Sequence, residues 1–114
     1  LTKAKEFYGE TLGLPIREIN EGLHVELAGG STMFIYPKEN HVPATFTVLN
    51  FVVPDIEKTI QDLGTKGVSM EQYDLPGIKT DSSGIARDDN SMGPKAVAWF
   101  KDPASNVVAL IQEK

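Results

Sequence analysis

His24 and Glu26 stand two residues apart in a segment, 23–28, whose other alternate positions are Leu23, Val25 and Leu27. Such spacing puts an imidazole and a carboxylate side by side on one strand face. The pair could act as general acid and base, or supply half of a metal site. The plainer reading is a polar pair turned to solvent or to a sheet edge. His41 falls in a connection with two prolines and reads as a solvated loop residue. Asp81, Asp88 and Asp89 are oxygen ligands of the calcium type. Their spacing does not match an EF-hand loop, which needs alternate oxygen positions and a closing Glu. They read as polar loop residues.

The remaining reactive inventory is short. With no cysteine, disulfides, thiolate metal sites and cysteine nucleophiles are all removed. There is no GxSxG, no phosphate-cradling glycine loop and no dinucleotide fingerprint. Eleven basic residues against sixteen acidic ones give a net charge of −5. The basic residues are scattered from Lys3 to Lys114 without forming a stripe, so a nucleic-acid partner is not expected. The longest purely apolar run, 107–111, is far too short to span a bilayer, so no membrane partner is expected either. No basic-plus-apolar leader is visible, and a cytoplasmic location is the expectation.

The elements that must position these residues follow from periodicity. In 114 residues, 40% of them hydrophobic, one domain spanning 1–114 is expected. Leu1, Ala4, Tyr8 and Leu12 recur at helical spacing, with Phe7 widening the stripe and Gly13 ending it. Segments 16–20, 23–28 and 32–36 read as strands, with Gly29-Gly30 as a hairpin turn. The last is nearly all apolar, which suits a strand buried on both faces. Residues 37–44 form a linker. A β-branched and aromatic run, 45–53, precedes a helix capped by Asp55, with Ile56, Ile60 and Leu63 as its apolar stripe. Segment 68–73 is a plausible strand, and 74–90 a long polar loop. Segments 95–101 and 106–112 are strands joined by an Asp102-Pro103 turn.

The pattern repeats. A shift of 55 positions sets Leu1 on Ile56, Lys3 on Lys58 and Gly9 on Gly64. Two tandem βαβββ units explain this: module one over 1–37, the linker, and module two over 45–114. The second begins with the strand 45–53 and the first has no counterpart. The repeat therefore predicts an absent first strand of about eight residues ahead of Leu1.

Several motifs resemble those of the vicinal oxygen chelate superfamily, the glyoxalase, bleomycin-resistance and extradiol-dioxygenase group. Lys5-Glu6-Phe7-Tyr8 with Leu12-Gly13-Leu14 resembles its first helix, and Phe51-Val52-Val53-Pro54-Asp55-Ile56 the start of its second module. Leu75-Pro76-Gly77 and Gly84-Ile85-Ala86 are similar to its loop over the cavity, and Trp99-Phe100-Lys101-Asp102-Pro103 with Asn106 to its final hairpin. Ala104-Ser105 departs from the usual Asp-Gly pair, where glycine suits a left-handed turn better. The resemblance implies an α+β fold in which two βαβββ modules form a curled mixed sheet around a cavity, with the helices on the convex side. A homodimer is a further implication.

Metal-dependent members of that family carry His or Glu ligands at cavity-facing strand positions. The resemblance carries three of these onto Phe34, Val48 and Ala109, none of which can bind a cation. The fourth falls on the absent strand. No metal site and no cofactor are expected. Alternation along the strands puts Phe34, Tyr36, Val48, Asn50, Ala109 and Ile111 on the cavity face, joined by Trp99 if Phe100 packs outward. Such an apolar and aromatic lining suits a small-molecule ligand. The leading expectation is a metal-free protein of the bleomycin-resistance type that binds a small organic molecule. The alternative is an enzyme of this family, a lyase, isomerase or dioxygenase, with a non-standard site around His24 and Glu26.

Overall fold

The structure, a computed structural model, describes residues 2–75, 78–87 and 95–113. The chain divides into two compact units, Leu1–Val42 and Pro43–Lys114. Each sets helical residues against a sheet, so the architecture is α+β. No described helix is long and apolar enough to cross a membrane.

In the first unit, helix α1 (Thr2–Lys5) continues as a π-helical stretch, Glu6–Thr11. Leu12 N–H donates to the carbonyl of Phe7, five residues back, at 2.9 Å. The expected regular helix therefore widens, over a stretch holding two weak helix formers, Gly9 and Thr11. Tyr8 is buried, and Gly13 leaves the helix with φ of 74°. Leu1 lies outside the described residues. Strands β1 (Ile16–Ile19), β2 (Gly22–Glu26) and β3 (Thr32–Ile35) form an antiparallel sheet in that order. A Cβ at Gly9 would lie 3.3 Å from Cδ1 of Ile16, so the π-helical stretch lies against the Ile16 face. Ile16 pairs with Val25, and Val25 with Met33. Leu23 and Val25 are buried. Strand β3 is not buried on both faces as its composition predicts: Phe34 is 47% exposed. It is an edge strand, and the helical segment lies on the face opposite to Phe34.

The second unit holds a four-stranded sheet ordered β4-β9-β8-β7: β4 (Thr47–Val52), β7 (Ile85–Arg87), β8 (Ala96–Lys101) and β9 (Val107–Gln112). Strand β4 runs parallel to β9 and the other pairs are antiparallel. Helix α2 (Ile56–Gly64) starts where the sequence predicts. Asp55 Oδ1 accepts from the N–H of Lys58 at 3.2 Å. Gln112, at the end of β9, accepts from the N–H of Ile56 at 2.9 Å through Oε1, tying helix to sheet. Ile56 and Leu63 are buried together with Ile85, Ala98, Phe100, Val108 and Leu110. Fully burying each large apolar side chain contributes about 1.5–3 kcal/mol.

Two segments depart from expectation. Residues 68–73 form no ladder; a backbone bond from Glu71 N–H to the Trp99 carbonyl at 2.7 Å joins them to β8, beside the Glu71–Lys101 ion pair. Strand β7 takes that sheet edge, with Ile85 opposite Ala98. The predicted polar loop is instead built from strands. It contains a short hairpin, β5 (Asp74–Leu75) with β6 (Ile78–Lys79), and then β7. Asp81 organises the turn before β7, its Oδ1 accepting from Ser83 N–H at 2.8 Å and Ile85 N–H at 3.0 Å. Gly84 makes the turn with φ of 87°, and a Cβ there would meet Met70 Cβ at 2.6 Å. Arg87 ties this turn to α2, with Nη2 2.8 Å from Glu57 Oε1 and Nε 3.6 Å from Asp81 Oδ2. In the β8–β9 turn, Ser105 adopts the left-handed conformation expected of a glycine, with φ of 68°. Asp102 holds it there, accepting from the N–H groups of Ala104 at 2.9 Å and Asn106 at 2.8 Å.

The backbone N–H of Ile85 is the first cause holding the Asp81 carboxyl below its ordinary value of 3.8; burial opposes it, and Ser83 N–H and Arg87 assist. A depressed carboxyl contributes stability above its unfolded value and loses it as pH falls through its folded one. The Asp81→Asn variant should therefore show a flatter decline of the urea midpoint below about pH 4 than the parent. Parallel curves for the two proteins would remove Asp81 from the acid response.

Candidate functional site

Strand pairing sets Arg17 opposite His24 and His24 opposite Phe34. The three form one row across the face of the first sheet that is turned away from the Ile16 side. Glu26 shares that face two positions along, opposite Thr32. The imidazole is half-buried, and its Nδ1 is buried with no hydrogen-bond partner among the described residues. Glu26 is exposed. So His24 and Glu26 share a face, but on it they differ in environment. His41 is exposed in the connection.

Beyond Phe34 the chain presents a second aromatic ring. Phe34 and Tyr36 stack with centroids 5.6 Å apart and planes 20° from parallel. Tyr36 is 62% exposed. The rings border a surface hollow of about 500 Å³, completed by Asn20, Glu21 and Pro37. Gly22 makes this arrangement possible. A Cβ at that position would lie 3.0 Å from Cζ of Phe34 and would collide with the Ile35 carbonyl oxygen. The ring of Phe34 thus leans over β2 at Gly22, next to Glu21.

In the second unit, Asn50, Ala109 and Trp99 stand in one cross-strand row. Ile111 lies opposite Val52 and Val97 on the same face. Ala109 is buried within its row, whereas Asn50 and Val48 are exposed. The β4–β9 register shifts between Thr47 and Leu49, which takes Val48 out of the regular pairing. Simple alternation would send Thr47 to the same side as Leu49. Across the shift its hydroxyl accepts instead from the indole Nε1–H of Trp99 at 3.1 Å. Tyr73 meets Trp99 edge to face at 5.5 Å. Phe100 is fully buried on the helix side, which leaves Trp99 on the face with Asn50.

The donor chemistry of these positions does not suit a divalent cation. Phe34, Val48 and Ala109 have no side-chain lone pair to offer. Among the described residues no group of three or more His, Asp and Glu is placed to hold a metal ion. Asp81 uses its carboxylate within its own turn, and Asp88 and Asp89 lie outside the described residues, as do Pro76 and Gly77. Sequence reasoning missed Asn20, Glu21, Gly22, Thr47 and Tyr73. Glu21-Gly22 was visible only as a turn. A register shift leaves no trace in alternation, so Thr47 carried no signal.

No family model matches the sequence, and no curated protein matches it. Solved structures do. An antibiotic binding protein, TnmS3, from Streptomyces sp. CB03234 is 22% identical, with a TM-score of 0.68 over 99% of this chain and 86% of its own. A glyoxalase family protein from Enterococcus faecalis is also 22% identical, with a TM-score of 0.70 over 97% of this chain and 87% of its own. A glyoxalase/bleomycin resistance protein/dioxygenase from Alicyclobacillus acidocaldarius is 12% identical, with a TM-score of 0.69 over 99% and 83%. The fold of this chain is the one those proteins share.

The Thr47→Val variant removes the acceptor for the indole N–H. It should lower stability by about 1 kcal/mol in urea unfolding and shift the emission of the single tryptophan to shorter wavelength. Unchanged emission and midpoint would show that the bond contributes nothing.

Proposed function

We propose that this chain, built on the vicinal oxygen chelate fold, is a cytoplasmic protein that binds a small planar organic molecule and needs no metal ion to do so. The observation that carries the reading is the stacked, exposed Phe34–Tyr36 pair beside a hollow of about 500 Å³. That volume lies in the range of small-molecule sites. Two large aromatic side chains held open to water gain when a third flat ring covers them, through burial and through ring stacking. The positions that the family resemblance assigns to metal ligands support the metal-free part, because they hold phenyl, isopropyl and methyl groups. The likeness of fold to an antibiotic binding protein is in keeping with binding rather than turnover.

A second reading has one observation in its favour. The buried Nδ1 of His24, next to Phe34 and without a hydrogen-bond partner among the described residues, could exchange a proton with a ligand on this face. On the binding reading His24→Ala leaves the ligand chemically unchanged, as it is with the parent protein. On the enzymatic reading the parent converts the ligand and the variant does not.

Binding of uncharged planar heteroaromatics, acridine among them, tests the first reading by calorimetry or fluorescence. Phe34→Ala and Tyr36→Ala should each weaken binding about tenfold, with the fold intact by circular dichroism. Equal affinity in parent and both variants would contradict the assignment of this hollow.

A further inference from the structure

We propose that the hollow beside Phe34 and Tyr36 selects planar organic cations, an inference that rests on the assignment of that hollow as the ligand site. Its five lining residues are Asn20, Glu21, Phe34, Tyr36 and Pro37, and Glu21 is the charged one among them. Glu18, three residues earlier, is already paired, 3.2 Å from Lys5 Nζ, and Glu26 and Glu39 do not line the hollow. Glu21 is exposed and has no such ion pair among the described residues. An unneutralised carboxylate therefore stands at the rim of an aromatic surface.

The two features favour the same ligand chemistry. The faces of Phe34 and Tyr36 carry negative potential and attract a cation placed over them. A delocalised planar cation can continue the ring stack while its charge faces Glu21. An anion would meet repulsion from both. Arg17 and His24 lie on the same sheet face, but neither lines the hollow, and the Phe34 ring leans away from their row toward Gly22. The net charge of −5 adds long-range attraction for a cation at low salt.

The test compares two probes of one shape on the full chain: acridine, uncharged in mildly alkaline buffer, and N-methylacridinium, permanently charged. The parent protein should bind N-methylacridinium about tenfold more tightly than acridine. In Glu21→Gln the ratio of the two affinities should fall by about threefold and part of its salt dependence should go. Glu21 sits in an exposed turn, so this near-isosteric change leaves the strands around it in place. Equal affinities in the parent, or a preference unaltered by Glu21→Gln, would overturn the selectivity while the site assignment stands. Failure of both probes to bind the parent would overturn the site assignment, and the selectivity with it.

Discussion

A single helix can cover one face of each sheet, and that constraint orders everything else in this chain. In the first unit the helical stretch comes within van der Waals reach of Ile16, and Leu23 and Val25 are buried. In the second, α2 contributes Ile56 and Leu63 to a core shared with Phe100, Val108 and Leu110. The alternation of strand side chains then leaves a second face on each sheet. On the first it carries Arg17, His24, Phe34 and Tyr36; on the second, Asn50, Trp99 and Ile111. Among the described residues no helix lies over Phe34 and Tyr36, and both rings are exposed.

The details that make one of those faces a hollow are small. Gly22 has no Cβ, so Phe34 can lie over β2 and stack with Tyr36 at 5.6 Å. In the second unit, apart from that hollow, a register shift in β4 turns the Thr47 hydroxyl toward Trp99 and fixes the indole. Several other carboxylates are held in turns and ion pairs of the second unit. Asp81 caps a turn, Asp102 caps another, and Glu57 pairs with Arg87.

Where local chemistry dominates, the sequence was legible. The Asp55 cap and the Ile56, Ile60, Leu63 stripe marked α2, and the turn at Asp102 marked the β8–β9 hairpin. Alternation set His24 and Glu26 apart from Leu23 and Val25. Ser105 could be named in advance as a residue in a glycine's conformation. What could not be read depends on neighbours distant in sequence. The run 68–73 has strand composition, yet β7 holds the sheet edge it would need. The run 74–90 looks like loop because Gly84, Ser83 and Asp81 are turn formers, although they frame strands. Phe34 and Tyr36 look like core by composition and are exposed because the helical stretch lies on the opposite face of the sheet, against Ile16. The rim carboxylate Glu21 belongs to a turn that only the fold brings beside those rings.

The proposed binding at this hollow requires no metal ion. The most direct measurement takes one purified sample, determines its metal content, and records the affinity for a planar heteroaromatic probe before and after treatment with a strong chelator. Metal-free binding predicts far less than one ion per chain and the same affinity in both states. One tightly held divalent ion per chain, with binding lost on its removal and regained on its return, would contradict it.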